Sequence, residues 1–165
     1  MGAARARPPA IPPDSLQARP RGADTSWVEI PSDFAEEWPM KRILIVEDSE
    51  TMRALLASTL EELEQPVKIT EAASGFEALR CLPRDAFDLI VTDINMPDIN
   101  GLELVSFAKS NDAYREIPLV IISTEGSERD REKGLSLGAD AYLVKPFDPE
   151  ELRDVARDLL ARRSA

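Results

Sequence analysis

From Lys41 onward, short apolar runs alternate with segments of helical period. The runs are Ile43 to Val46, Val67 to Ile69, Phe87 to Val91, Leu119 to Ile122 and Tyr142 to Val144. Each is continuous instead of alternating, the pattern of strands buried on both faces of a sheet. Between them, Met52, Leu55, Leu56, Leu60 and Leu63 form one apolar helical stripe, and Leu152, Val155, Ala156, Leu159 and Leu160 form another. The last helix is signalled by Asp148 as a candidate N-cap, Pro149 at the first helical position and Glu151 at the capping-box position. Five repeats of strand then helix predict an α/β fold with a parallel sheet covered on both faces. In such open sheets ligands gather beyond the carboxyl ends of the strands, beside the topological switch point.

Chemistry collects where that rule places it. Glu47 and Asp48 follow the first run, Asp93 the third, Ser123 and Thr124 the fourth, and Lys145-Pro146 the fifth. Taken singly, each has a bland explanation. Glu47-Asp48 suits a helix N-terminus, Asp93 a turn before Met96-Pro97, and Lys145 a solvated surface. Taken together they put three carboxylates, a hydroxyl and an ammonium at one sheet edge, which no requirement of stability explains. Clustered acids raise one another's pKa unless a cation sits among them. A hard divalent ion with oxygen ligands fits that need, and Mg²⁺ binds through one or two carboxylates while keeping waters for a phosphoryl oxygen.

Composition narrows the field further. The chain has 165 residues, enough for one ordinary domain, and a net charge of −11, which disfavours nucleic acid as the main partner. The absence of histidine excludes histidine general-base chemistry, His-ligated metals and a phosphohistidine carrier. A single cysteine, Cys81, reads as a half-buried helix residue and agrees with a reducing compartment. No apolar run is long enough to span a bilayer, and the N-terminus has no signal-peptide core, so the expected compartment is the cytoplasm without membrane insertion.

Residues 1–39 differ from the rest. They hold seven of the 13 prolines and both tryptophans, and they switch from arginines to acids along their length. They read as a disordered Pro-rich tail before a domain spanning 40–165. The segment Trp27 to Trp38 offers a docking peptide as one reading and a merely solvated tail as another. A third is that Met40 is the natural start and residues 1–39 an upstream extension.

The motifs ILIVEDS, LIVTDINMPDINGLEL, IPLVIISTEGS and GADAYLVKPF occur in that order. From about Lys41 to the C-terminus, the chain resembles the receiver domain of two-component response regulators. The resemblance is strongest to single-domain chemotaxis-type regulators, because the chain ends soon after the fifth predicted helix, leaving no room for a DNA-binding or enzymatic output domain. It implies a five-stranded, flavodoxin-like sheet in the order 2-1-3-4-5.

By the resemblance, Asp93 is the nucleophile that accepts a phosphoryl group from a histidine kinase. Mg²⁺ is held by Asp48, Asp93 and the backbone carbonyl of Asn95, with Glu47 acting through water. Lys145 and Ser123 contact phosphoryl oxygens. Movement of Ser123 admits the ring of Tyr142, the switch aromatic, and the surface of the fourth helix, fifth strand and fifth helix then binds a downstream effector. Lys145-Pro146 corresponds to a cis peptide in the family. Asn95 and Glu125 border the path of the hydrolytic water and tune the lifetime of the phosphoryl group. The implied protein is a phosphoacceptor that assists its own phosphorylation and dephosphorylation, in chemotaxis or motility. The alternative is a phosphorelay intermediate or an adaptor acting on another enzyme. Two rivals fall away. A haloacid-dehalogenase-type phosphatase needs a second aspartate where Asn95 stands, and a dinucleotide carrier needs a Gly-rich loop after the first strand.

Overall fold

A computed structural model describes residues 40–164 of the chain. The tail, with its Trp27 to Trp38 segment, lies outside the described residues. Five strands alternate with five helices: β1 (Lys41–Val46), α1 (Glu50–Glu61), β2 (Val67–Ala72), α2 (Gly75–Cys81), β3 (Leu89–Thr92), α3 (Gly101–Lys109), β4 (Leu119–Ser123), α4 (Glu128–Ser136), β5 (Ala141–Val144) and α5 (Pro149–Ser164). A 3-10 turn, Leu82–Arg84, follows α2. All neighbouring strands pair in parallel, in the order β2-β1-β3-β4-β5.

The pleat of each strand sorts its side chains between two cores. In β1, Leu44 and Val46 join Ala78 of α2 and Leu104 and Val105 of α3 on one face, while Ile43 and Ile45 join Leu56 and Leu60 of α1 and Leu152, Ala156 and Leu159 of α5 on the other. Every residue of β3 and β4 is buried, as a continuous apolar run predicts.

The sheet edges depart from that prediction. β2 is half exposed, with Lys68 and Glu71 facing solvent, because only β1 pairs with it. It also runs to Ala72, beyond the apolar run. Phe87 precedes β3 instead of starting it, yet it is fully buried in the core. On α1, Leu55 is exposed, and Ala57 and Thr59 are buried in its place. Thr59 tolerates burial because its hydroxyl donates to the Leu55 carbonyl at 2.8 Å.

Helix starts also differ in detail from expectation. The cap of α1 is Ser49, which accepts from the Met52 amide, so Glu47 and Asp48 are left for other work. Asp148 does cap α5, accepting from the Glu150 amide at 3.0 Å. The reciprocal capping box forms at α3 instead, between Asn100 and Glu103.

Candidate functional site

The polar residues that follow the strands are held by sheet hydrogen bonds one step past the strand ends. The Asp93 amide donates to the Val46 carbonyl at 3.0 Å, the Glu47 amide to Ala72 at 3.0 Å, and the Lys145 amide to Ser123 at 2.8 Å. The switch point lies between β1 and β3, the central pair from which the chain winds outward in both directions. Glu47, Asp48 and Asp93 meet there, each offering a carboxylate oxygen within 4.8 Å of the others.

The three acids are not equivalent. Glu47 is 2 % exposed and both of its oxygens are engaged, one by Lys145 Nζ at 2.9 Å and one by the Ser49 amide at 3.1 Å. Burial pushes its carboxyl above the usual carboxylate range, the Lys145 and Ser49 hydrogen bonds oppose the rise, and the charge of Asp93 adds to it. Asp93 is 6 % exposed, accepts from the Ile94 amide at 2.7 Å, and stands 3.4 Å from Lys145 Nζ. Asp48 is exposed and forms no hydrogen bond or ion pair among the described residues. Hard oxygen donors of this number and spacing fit a small divalent cation: the Asp48 carboxylate is open to one, while both Glu47 oxygens are already engaged.

Close backbone approach fixes Asp93 from behind. A β-carbon on Gly101 would lie 2.0 Å from the Asp93 carbonyl oxygen, so only glycine lets α3 start there. The buried Thr92 hydroxyl donates to that same carbonyl at 2.9 Å.

Ser123, fully buried, accepts the Glu125 amide at 3.1 Å. Lys145 precedes Pro146 through a cis peptide bond, as the resemblance implied. The Tyr142 ring is buried, and its hydroxyl donates to the Glu125 carbonyl at 2.5 Å. Burial raises the phenol's pKa, and a hydrogen bond with Ser123 opposes the rise. The Arg131 guanidinium of α4 donates to the Tyr142 carbonyl at 3.2 Å, and Gly134 leaves room for the ring against α4. Asn95 and Glu125, both exposed, meet across the mouth of the site, the Asn95 amide donating to the Glu125 carboxylate at 3.3 Å.

The model of the response regulator receiver domain matches residues 43–157. The chain belongs to that family. Its receiver is similar to the chemotaxis protein CheY homolog of Campylobacter jejuni, 36% identical over 124 residues that make up 74% of this chain and 95% of the relative. It is also similar to chemotaxis protein CheY1 of Helicobacter pylori, 39% identical over 68% of this chain and 91% of that one. Among solved structures, the chemotaxis response regulator CheY4 of Vibrio cholerae aligns with a TM-score of 0.67 at 33% identity, over 73% of this chain and 99% of its own.

The receiver thus gathers Glu47, Asp48, Asp93, Ser123 and Lys145 at one edge, with Asn95, Glu125 and Tyr142 around them. Two residues escaped the sequence reading. Arg53 of α1 donates to the Glu47 carbonyl at 2.8 Å, and Asp98 accepts the Gly75 and Phe76 amides at the start of α2. Neither stands at a strand end, and in sequence one reads as a solvent-facing helix arginine and the other as a turn acid. Among the described residues, no helix is long and apolar enough to cross a membrane.

Proposed function

We propose that this receiver accepts, in the cytoplasm, a phosphoryl group on Asp93 from a histidine kinase with Mg²⁺ bound, and then presents an altered surface to a downstream protein in chemotaxis or motility signalling. The observation that carries this reading is the buried Asp93 carboxylate, 3.4 Å from Lys145 Nζ and crowded by two further carboxylates. One lysine cannot neutralise three acids, so the arrangement favours a bound cation and an incoming phosphoryl group over a purely structural role.

In the transfer, an oxygen of Asp93 bonds to phosphorus as the bond from phosphorus to the kinase imidazole nitrogen breaks, and the electron pair stays on that nitrogen. Lys145 turns from Glu47 to one phosphoryl oxygen, and Ser123 donates to another. Asp48, Asp93 and the Asn95 carbonyl would hold Mg²⁺, with Glu47 acting through water, and the bound ion would supply positive charge to the phosphoryl oxygens. The protein assists its own phosphorylation and dephosphorylation and turns over no separate substrate.

The output follows from shared partners. When Ser123 turns to the phosphoryl group, the Glu125 amide loses its acceptor, and the loop that also holds the Tyr142 hydroxyl shifts. The equilibrium between two arrangements of α4, β5 and α5 moves with it, and an effector that prefers one of them binds.

Labelling with acetyl phosphate tests the chemistry. Incorporation should require Mg²⁺ and vanish in Asp93→Asn; labelling that survives the substitution overturns the assignment. Capture by phosphorylated protein of a phosphotransfer protein, instead of a motility component, would favour the relay reading.

A further inference from the structure

We infer that Arg53 is a positioning residue for the metal-binding limb, holding the backbone on both sides of Asp48. This rests on the function proposed above and extends it to a residue that touches neither metal nor phosphoryl group. The Arg53 amide donates to the Ser49 carbonyl at 2.8 Å, and its guanidinium donates to the Glu47 carbonyl at 2.8 Å. Asp48 lies between those two carbonyls. One residue of α1 therefore pins the chain before and after the acid that has no side-chain partner of its own among the described residues.

The two bonds differ in what sustains them. The amide bond belongs to the first turn of α1 and would survive any side chain at position 53. The guanidinium bond depends on the arginine fork, which also reaches Glu71 of β2 through Nε at 3.0 Å. Glu71 pairs with Ile45 in the β1–β2 ladder, and the Glu47 amide donates to the next residue, Ala72. Arg53 thus refers the loop to the sheet.

Stability alone is a poor reason for the arrangement. Glu71 is 44 % exposed at its side chain, and ion pairs that open to water add little. The buried end of the contact is the Glu47 carbonyl, next to the ligand. A bound cation attracts Asp48 only as well as the loop presents it, so freeing that carbonyl should cost metal affinity and leave the phosphoryl-transfer machinery of Asp93 and Lys145 in place.

The test uses the full chain and three variants: Arg53→Met, which keeps the apolar stem without donors; Arg53→Lys, which keeps one donor; and Glu71→Ala, which removes only the tether. Magnesium chloride is titrated while backbone amide shifts are followed by NMR, and melting is recorded in chelator. Arg53→Met should weaken Mg²⁺ binding by about tenfold, with Arg53→Lys between it and the parent. At saturating Mg²⁺, the acetyl phosphate labelling rate of Arg53→Met should return to within about twofold of the parent.

Mg²⁺ affinity in a folded Arg53→Met within about twofold of the parent overturns the inference, as does a labelling deficit that saturating Mg²⁺ does not repair. If Arg53→Met shows no melting transition, Glu71→Ala decides: a smaller loss of affinity supports the role and an unchanged affinity overturns it. A parent protein that binds no Mg²⁺ sinks the site reading and this inference together. A parent that binds and labels normally beside an indifferent Arg53→Met sinks this inference alone.

Discussion

The sheet has a half-buried lysine near each end, and the two are used differently. Lys109, at the amino end of β4, donates to the carbonyls of Arg115 at 3.2 Å and Ile117 at 2.8 Å and pairs with Asp140 at 3.4 Å. Asp140 in turn accepts the Leu119 amide at 2.9 Å. Charge and hydrogen-bonding capacity balance locally, and the cluster ties the loop after α3 to the sheet. Lys145, at the carboxyl end, meets only carboxylates, Glu47 at 2.9 Å and Asp93 at 3.4 Å, with Asp48 beside them. That end has more negative charge than its one lysine neutralises. A balanced polar cluster stabilises the fold; an unbalanced one leaves room for a ligand.

Exchanging the two lysines for methionine should separate those roles. On the proposed function, Lys145→Met removes a donor to the transferring group and should cut the acetyl phosphate labelling rate per folded molecule roughly 100-fold. Lys109→Met should leave that rate near the parent's and instead lower unfolding stability by about 2 kcal/mol, read from denaturant melts, because two carbonyls and a carboxylate lose their donor. Equal effects of both substitutions on labelling would erase the distinction.

The mouth of the site offers a finer test. Asn95 and Glu125 meet there, so Asn95→Met combined with Glu125→Lys should obstruct or compete for the hydrolytic water. The half-life of labelled protein after donor removal should lengthen about tenfold, equivalent to about 1.4 kcal/mol of barrier. An unchanged decay would assign water access to other parts of the loops.

The smallest expected effect concerns charge imbalance itself. Burial and Asp93 raise the Glu47 pKa in the folded state, so the ionised form costs stability. That contribution favours the fold most below the ordinary carboxylate range and is lost as pH rises through the raised folded value. In chelator at neutral pH, Glu47→Gln should therefore raise the melting temperature by a few degrees. The gain should fade as pH drops through the raised folded value toward the usual glutamate range. A gain that is independent of pH would assign it to packing.

Much of this was legible along the chain. Ile90 and Val91 of β3 and Leu119 to Ile122 of β4 announce central strands, because a parallel sheet covered on both faces needs apolar side chains on both sides of the pleat. Asp93, Lys145 and Ser123 were legible as candidates because each stands immediately beyond such a run or closes it. The edge character of β2 was less so, since Val67 to Ile69 reads like a central run until the strand order shows that β1 alone pairs with it. Leu55 fits its apolar stripe equally well and still faces solvent, because the stripe is wider than the surface that α1 buries.

What the sequence determined by itself is the set of elements and the polar residues at the ends of four of the five strands, both of which are local features of the chain. Only the tertiary structure decided which ends are neighbours. Placing β3 against β1 brings Asp93 to Glu47 and Asp48, and placing β5 against β4 brings Lys145 to Ser123. The same packing closes Asn95 onto Glu125. These contacts are set by crossover direction and ladder register, which join residues far apart in the chain and leave no mark on the spacing of apolar positions.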